Sequence, residues 1–356
     1  MIMILVILLL PFFVLTNDAR FLRAPAKPIQ SITTPLYRAT IVKAYPHDVN
    51  SFTEGFGFIS REMLGQTTNP VIYESSGLKE SHPSLLQLKD YRTNKILYSR
   101  HFQSGFFAEG ATIINNQILL ATLSSNKLYR FDPLTLQPLD TDERNAIRLP
   151  STMEHLILHV WGLTSDPTNN FLYISEGTSV IHVVLMSSEK SDNDSFTLQY
   201  IDQIHVHDGD TTIRNINELE FIEGLLYANI LGQSCIAKIL PETGDVVGWI
   251  SFGKQLQEEY PEIGQSRSLL KQMNGIAYDT LSKVLLVTGK NWPYTFEIRE
   301  GLPIGNDDRT MKTEVAACYP ATIRKLDFNH VQLGLNNQLP FIPMPTNQEV
   351  REHFHG

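Results

Sequence analysis

Five dipeptides of related composition recur along the chain, and their side chains include groups that acid–base and hydrogen-bond chemistry requires. They lie 52 to 57 residues apart. Paired carboxylates support general acid–base catalysis, and asparagine amides stabilise developing negative charge. Recurrence at a nearly constant interval predicts equivalent positions of a repeated structural unit, at which these side chains would converge. The dipeptides are Glu54-Gly55, Glu109-Gly110, Trp161-Gly162, Asn217-Glu218 and Asn274-Gly275.

The residues that follow each dipeptide predict β-strands. Short runs rich in Val, Ile, Leu and Tyr are bounded by Gly, Asn, Asp and Pro, which is typical of strands between turns. Five such units of about 55 residues predict an all-β fold, a five-bladed β-propeller whose first strands line a central channel. The alternative is that the dipeptides are only turn residues at the starts of blades. The strand runs are 71–77, 117–123, 126–132, 170–177, 179–186, 224–231, 234–240, 283–289 and 293–298.

The segment 254–272 is the one stretch with a helical character. Its apolar spacing is irregular and Pro261 interrupts it. A proline inside a helical pattern ends or kinks the helix. We therefore expect a short helix or a loop between the fourth and fifth units.

Composition excludes several classes of protein. The chain has 356 residues, of which 42% are hydrophobic and 19% charged, and a formal net charge of −9. This hydrophobic content excludes intrinsic disorder, and the acidic balance without a Lys/Arg run argues against nucleic acid as a partner. Two cysteines are too few for a disulfide-rich scaffold or a four-cysteine zinc site.

The two ends of the chain look unlike its middle. Residues 1–15 are almost wholly apolar, which is short for a membrane span of roughly 20 residues and typical of a signal peptide. We predict a signal peptide or an uncleaved signal anchor over 1–19, a linker over 20–37, the propeller over 38–328 and a proline-rich tail over 329–356. This predicts the secretory pathway, with membrane attachment only through an uncleaved anchor.

Entry into the secretory pathway affects two further predictions. A disulfide between Cys235 and Cys318 is expected in an oxidising compartment, and two free buried thiols are the alternative. The sequon at Asn193 lies in a polar stretch and predicts N-glycosylation, with an unmodified asparagine as the alternative.

Common catalytic and metal-binding motifs are missing from the sequence: it contains no Walker A loop, G-x-G-x-x-G, H-E-x-x-H or G-x-S-x-G. His205, His207, Asp208 and Asp210 lie close enough together to suggest a metal site, but a strand end followed by an Asp-Gly turn is the preferred interpretation. Pro46-His47-Asp48 similarly predicts a turn capped by the aspartate. We expect no metal and no cofactor.

Six ordered blocks of sequence resemble the plant and bacterial type of glutaminyl-peptide cyclotransferase. The resemblance implies a five-bladed β-propeller that converts N-terminal glutamine of peptides to pyroglutamate with loss of ammonia, without a metal. The partner is then a peptide or protein with an N-terminal glutamine, and we expect a monomer. The blocks are PHDVNSFTEGF (46–56), FFAEG (106–110), VWGL (160–163), NELEFIEGLLYANI (217–230), SCIAKILPETGDVVGWI (234–250) and MNGIAYDTLSKVLLVTGKNWPYTFEI (273–298).

The resemblance also implies roles for individual residues. The family's catalytic carboxylate falls on Glu109, and its channel asparagine and lysine fall on Asn217 and Lys290, the candidate donors to an oxyanion. Its aromatic residues fall on Phe52, Phe107 and Trp161, which would bind the substrate and exclude water.

Three positions depart from the family pattern. Glu54 stands where members often have glutamine, and could hold the substrate ammonium or raise the pKa of Glu109. Leu123 and Leu231 stand where members have tryptophan. The aromatic wall, which here consists of Phe52, Phe107 and Trp161, is therefore thinner than in those members. Two alternatives to an active cyclase therefore remain open: a lapsed enzyme that only binds peptide N-termini, and a calcium-dependent lactonase-like propeller.

Overall fold

The computed structural model describes most of the repeat region, and the first three repeated units each form one antiparallel four-stranded sheet. The described residues are 34–65, 70–77, 83–103, 105–123, 125–139, 146–151, 153, 159–188, 196–252, 255–264, 272–304 and 318–319. The three sheets are β2 (Thr53–Phe58), β3 (Val71–Ser76), β4 (Leu85–Asp90), β5 (Lys95–His101); β6 (Ala108–Ile114), β7 (Gln117–Thr122), β8 (Ser125–Phe131), β9 (Ile147–Arg148); and β10 (Leu163–Asp166), β11 (Phe171–Ser175), β12 (Val180–Ser188), β13 (Phe196–His205).

The last two units share one eight-stranded sheet that the first strand of the fold completes. Its order is β16-β17-β18-β19-β1-β22-β21-β20. Strand β1 pairs antiparallel with β22 along its length and parallel with β19 over its first residues. The strands are β1 (Leu36–Pro46), β16 (Ile216–Ile222), β17 (Leu225–Ile230), β18 (Cys235–Ile239), β19 (Val246–Ser251), β20 (Met273–Asp279), β21 (Val284–Gly289) and β22 (Tyr294–Pro303).

Short elements connect these sheets. A two-stranded ribbon of β14 (His207–Asp208) and β15 (Thr211–Thr212) lies between the third and fourth units. Helices α1 (Gln255–Glu259) and α2 (Pro261–Gly264) follow the fourth unit, so of the short helix or loop expected within 254–272 the structure shows two short helices that meet at Pro261. In the described part of the chain, no helix is long and apolar enough to cross a membrane.

The first strands of the five units are neighbours in a closed cycle. Strand β2 contacts β6, which contacts β10, and the series continues through β16 and β20 back to β2. The approach is close because glycines lie at the contacts: a Cβ on Gly110 would lie 2.6 Å from the amide nitrogen of Leu163, and one on Gly162 would lie 2.1 Å from the carbonyl oxygen of Asn217. No larger residue fits at these two positions without displacing a neighbouring backbone.

In the first three sheets, the first two strands are almost entirely buried and the last strand is partly exposed. In the first unit, every residue of β2 except the last is buried, whereas β5 alternates between exposed and half-buried residues. Apolar side chains fill the spaces between neighbouring sheets. Between the second and third units, for example, Leu119 and Leu128 pack in one cluster with Leu172 and Val184. The fold is therefore all-β and propeller-like, with its best-buried strands around the cycle.

The predicted strand runs are confirmed, and the structure adds a feature that the sequence did not reveal. Four of the five first strands carry a β-bulge or irregularity at the recurring dipeptide, between Thr53 and Gly55, Ala108 and Ala111, Ile216 and Leu219, and Met273 and Ile276. A bulge inserts one unpaired residue and redirects its side chain, and bulges are common next to active sites. The dipeptides thus occupy positions at which the strand geometry is specialised.

Several predictions fall outside the described residues. The signal peptide over 1–19, the sequon at Asn193 and the tail over 329–356 are among them. Most of the predicted linker over 20–37 is outside as well, and its last two residues belong to β1.

Candidate functional site

The site residues predicted from the sequence lie at one end of the fold, where the first strand of each unit begins and the second strand ends. Glu54, Glu109 and Asn217 sit at the beginnings of β2, β6 and β16, and Lys290 directly follows β21. All four are almost fully buried, with exposed fractions from 2% for Glu54 to 7% for Lys290. Burial of this many polar groups requires partners or a function.

Glu54 and Lys290 form a buried ion pair. The Nζ atom of Lys290 lies 2.6 Å from Oε1 of Glu54. The amide of Asn274 donates to Oε2 of Glu54 at 3.2 Å and to the backbone oxygen of Thr53 at 2.9 Å. Asn274, which the sequence placed among the recurring dipeptides without a role, therefore holds Glu54 in place.

Glu109 has a different environment. No described residue donates a hydrogen bond to its carboxyl group, although its backbone oxygen accepts one from Ser75 Oγ at 2.6 Å. Burial raises the pKa of Glu109 well above its usual range, the nearby Glu54 carboxylate raises it further, and Lys290 opposes both. A carboxyl group of this kind can accept and release protons at a higher pH than a solvated glutamate.

Aromatic rings from three units lie at this end of the fold, and one of them, Phe52, contacts the Glu54–Lys290 ion pair. The ring of Phe52 meets that of Phe107 edge to face, with centroids 6.4 Å apart, and Lys290 Nζ lies 4.4 Å from the Phe52 centroid. The ring of Phe107 packs against Gly77, where an added Cβ would lie 2.5 Å from the ring. Trp161 packs in the same way on Gly177. The absence of a side chain at Gly77 and Gly177 thus leaves room for the rings of Phe107 and Trp161.

Backbone hydrogen bonds connect the second, third and fourth units at this end. The amide of Gly110, next to Glu109, donates to the backbone oxygen of Trp161 at 2.8 Å. Ser175 Oγ accepts from the amide of Gly162 at 2.8 Å and donates to the backbone oxygen of Asn217 at 2.6 Å. The side-chain amide of Asn217 makes no hydrogen bond with a described residue, which leaves its donors available to a ligand.

The two leucines that replace family tryptophans lie at the same end. The amide of Leu123 donates to the backbone oxygen of Phe107 at 3.2 Å, and that of Leu231 donates to the backbone oxygen of Asn215 at 2.9 Å. Both leucines follow a second strand directly. Leu123 therefore borders Phe107, whereas Leu231 borders the segment that leads into β16 and Asn217.

The His-Asp tract has a structural explanation. Both carboxylate oxygens of Asp208 are occupied: Oδ2 accepts from Trp249 Nε1 at 2.8 Å and from Tyr319 at 3.0 Å, and Oδ1 accepts from Thr34. His207 Nδ1 lies 3.3 Å from the Asp245 carboxylate. Within the described ranges, no group of three or more His, Cys, Asp or Glu residues could hold a metal ion. The predicted disulfide between Cys235 and Cys318 is confirmed.

Sequence reasoning gave no role to three carboxyl groups close to the site strands. Glu218 and Glu220 accept hydrogen bonds from the backbone amides of Ile276 and Tyr278, and so connect the fourth unit to the fifth. Burial raises the pKa of Glu218 well above its usual range and that of Glu220 to about 8. The third, Glu74, lies in β3 and accepts hydrogen bonds from the hydroxyls of Ser51 and Thr53. A charged residue within an apolar strand run was the available signal for Glu74.

Comparison with known proteins identifies the family of the chain. A family model described as glutamine cyclotransferase matches residues 14–300. The chain is 28% identical over 266 residues to the glutaminyl-peptide cyclotransferase of Arabidopsis thaliana, which covers 73% of this chain and 70% of that protein.

A solved structure is similar in fold. The crystal structure of the glutaminyl cyclase of Myxococcus xanthus matches with a TM-score of 0.59 and 24% sequence identity, over 76% of this chain and 100% of the other. The family match spans most of the repeat region and contains every residue of the site described above. The chain belongs to the glutamine cyclotransferase family.

Proposed function

We propose that the protein converts N-terminal glutamine of peptides or proteins to pyroglutamate, releasing ammonia, with Glu109 as general acid–base. Membership of the glutamine cyclotransferase family supports the reaction. The observation that supports the role of Glu109 is its buried carboxyl group, which accepts no hydrogen bond from a described residue and has a pKa raised by burial and by Glu54.

The reaction is an intramolecular acyl transfer. The α-amine attacks the side-chain carboxamide, the new C–N bond closes the five-membered lactam, and the bond to the departing nitrogen breaks. Because nucleophile and electrophile are tethered, correct positioning can contribute roughly 7–11 kcal/mol. The amine must be neutral to attack, and the pKa of an α-amino group is about 7.7–8.0.

Glu109 would move the proton that this reaction transfers. Its carboxylate accepts a proton from the attacking amine nitrogen and then delivers it to the departing amide nitrogen, which leaves as ammonia. General acid–base help of this kind contributes roughly 10²–10⁴-fold. The raised pKa of Glu109 brings it nearer to that of the amine, which makes the transfer less uphill.

Asn217 and Lys290 would stabilise the tetrahedral oxyanion. An amide offers two N–H donors and an ammonium offers three. Lys290 uses one donor on Glu54, so donors remain for the oxyanion. Glu54 would hold Lys290 in position and raise the pKa of Glu109. Its own oxygens already face Lys290 and Asn274, which favours this role over binding of the substrate ammonium.

The aromatic residues would fold the glutaminyl side chain back on itself. Phe52, Phe107 and Trp161 offer apolar surfaces from three different units, and a dry site limits competing hydrolysis. With leucine at 123 and 231, the wall is smaller than in family members, which favours bulkier residues after the N-terminal glutamine.

The number of blades and the cellular location belong to the same proposal. Five blades are supported by the closed cycle of five first strands, and β1 would supply the outer strand of the last blade. Secretion is supported by the apolar segment 1–15 and by the disulfide between Cys235 and Cys318. A closed cycle of strands is consistent with a monomer.

One assay tests the reaction against its alternatives. Purified protein is incubated with a Gln-initiated peptide and with the same peptide N-acetylated, with and without a chelator, while released ammonia and peptide mass are followed. We expect turnover of the free peptide alone, with the chelator having no effect. The acetylated peptide is a matched control because its blocked amine cannot attack. No turnover at any pH would favour a lapsed, binding-only protein, and turnover abolished by chelator would favour a metal mechanism.

A further inference from the structure

Segment 47–53 connects β1 to the first residue of β2. One buried carboxylate, that of Glu74, binds several of its side chains. Oε1 of Glu74 accepts from Thr53 Oγ1 at 2.7 Å, from Ser51 Oγ, and from His47 Nε2 at 3.0 Å. Oε2 accepts from Lys89 Nζ at 2.6 Å. Glu74 and Lys89 are 0% and 1% exposed, so water does not compete with these contacts.

The residues that Glu74 binds surround a site residue. Ser51 and Thr53 are the chain neighbours of Phe52, and Thr53 precedes Glu54. The amide of Phe52 itself donates to Ser76 Oγ at 2.9 Å. The carboxylate of Glu74 therefore fixes the start of β2, and with it the orientation of the Phe52 and Glu54 side chains.

The same segment holds the turn that carries Lys290. The amide of Asn291 donates to the backbone oxygen of Ser51 at 2.7 Å, and its side chain donates to that of Val49 at 2.8 Å. His47 Nδ1 lies 2.7 Å from the backbone oxygen of Trp292. Both ring nitrogens of His47 face oxygen atoms, so the imidazole connects Glu74 to this turn.

We propose that Glu74 is a positioning residue for catalysis. Through Ser51, Thr53 and His47 it fixes both partners of the Glu54–Lys290 ion pair, one on each side of segment 47–53. This inference rests on the proposed function, because the ion pair acts on Glu109. Glu74 itself touches no reacting atom.

The chemistry of Glu74 explains why a carboxylate is required. Its two oxygens face two separate sets of partners, the Ser51 and Thr53 hydroxyls with the His47 imidazole on one side and Lys89 on the other. A glutamine of the same size has a single acceptor oxygen. In Glu74→Gln one set of donors must lose its acceptor, so segment 47–53 and the turn at 290–292 become less constrained. A misplacement of about 1 Å can reduce the rate by about 10²-fold.

The test compares Glu74→Gln and Thr53→Val with Leu88→Ala. Thr53→Val removes one hydroxyl donor with little change in shape. Leu88 is 2% exposed in β4 of the same sheet, so Leu88→Ala loosens this unit through a core cavity without touching segment 47–53. The readouts are kcat and KM on a Gln-initiated peptide, the midpoint of thermal unfolding, and hydrogen exchange of peptides that cover 47–53 and 289–293.

We expect kcat to fall about 10²-fold in Glu74→Gln and about tenfold in Thr53→Val. KM should change far less, because misplaced catalytic groups weaken interactions made in the transition state more than those made with bound substrate. Exchange should rise at 289–293 in both. Leu88→Ala should have a lower midpoint of thermal unfolding. Its kcat and its slow hydrogen exchange at 289–293 should match those of the wild type. Equal losses of kcat in all three variants, in step with stability, would overturn the proposal.

The exchange measurement separates this proposal from the proposed function. If the wild-type protein showed no turnover, the proposed function would fail, yet faster exchange at 289–293 in Glu74→Gln and not in Leu88→Ala would still support positioning. Unchanged exchange there in Glu74→Gln would overturn the positioning role whether or not the protein is active.

Discussion

Two buried glutamates at the site, Glu54 and Glu109, differ in their partners, and this difference separates their roles. Glu54 is held by Lys290 and Asn274, whereas Glu109 accepts no hydrogen bond from a described residue. An ion-paired carboxylate is a poor proton shuttle, because leaving its partner costs free energy. The environment of each residue, more than its type, therefore assigns the acid–base role to Glu109.

The charge of Glu54 should affect the pH dependence of kcat/KM. Glu54→Gln removes a negative charge that raises the pKa of Glu109 and leaves the opposing charge of Lys290 unneutralised, so that pKa should fall. The acid limb of kcat/KM should move to lower pH. Lys290→Met should move it to higher pH, although kcat will also fall. Profiles of both variants against wild type provide the measurement.

Glu220→Gln is the matched control for these profiles. It also removes a buried carboxyl group, but Glu220 is not among the charges that act on Glu109. Its acid limb should coincide with that of wild type. If Glu54→Gln and Lys290→Met shift the limb in the same direction, the assignment of that limb to Glu109 is wrong.

At the scale of elements, the strands could be predicted from the sequence and their irregularities could not. Alternating apolar runs between turn residues specify strands locally, as at 71–77 and 224–231. The bulges at the dipeptides arise only when five strands pack around one cycle, because the spacing between neighbouring sheets decides where an extra residue fits. For the same reason the sequence indicated Glu109 and Asn217 but gave no role to Asn274 or Glu74, whose partners lie in other units.

The acidic residues of β16 predict a pH-dependent stability. Burial raises the pKa of Glu220 from 4.5 to about 8, so the folded state binds this proton more tightly than the unfolded chain. The contribution is fully present below pH 4.5 and is lost as pH rises through about 8. Glu220→Gln should therefore gain stability relative to wild type between pH 5 and 8, of the order of a few kcal/mol.

Denaturant unfolding at pH 5 and pH 8 measures this gain. Glu223→Gln is the control, because Glu223 ends the neighbouring turn in solvent and its pKa is lowered by a hydrogen bond and ion pair with Lys283. It should show no gain as the pH rises. A constant difference between wild type and Glu220→Gln at both pH values would contradict the raised pKa.

At the scale of the whole molecule, the two ends of the described chain meet in the last two units. Strand β1 joins β22 and β19, and Asp208 accepts hydrogen bonds from both Thr34 and Tyr319. Cys318, one of the two disulfide cysteines, directly precedes Tyr319 in sequence. The dipeptide spacing predicts five repeats, but it does not predict the role of β1, because the paired residues of β1 and β22 lie 248 to 266 positions apart in sequence, from Pro46 with Tyr294 to Tyr37 with Pro303.

Loss of the disulfide should destabilise the whole fold. Cys235 and Cys318 close a loop with a sequence separation of 83 residues, which contains the entire fifth unit. Removal should cost about 2–5 kcal/mol of unfolding free energy. Because either single variant breaks the bond, Cys235→Ala, Cys318→Ala and the double variant should be destabilised by similar amounts in non-reducing buffer. Additive losses, or an unfolding midpoint insensitive to reductant in wild type, would contradict this role.

The role of Glu109 is the central claim, and the turnover number of Glu109→Gln on a Gln-initiated peptide tests it most directly. Glutamine keeps the size of the side chain but cannot shuttle a proton, so kcat should fall by roughly 10²–10⁴-fold. The unfolding midpoint should not fall, since no described residue donates a hydrogen bond to the carboxyl group. Wild-type ammonia release by a folded Glu109→Gln protein would contradict the account.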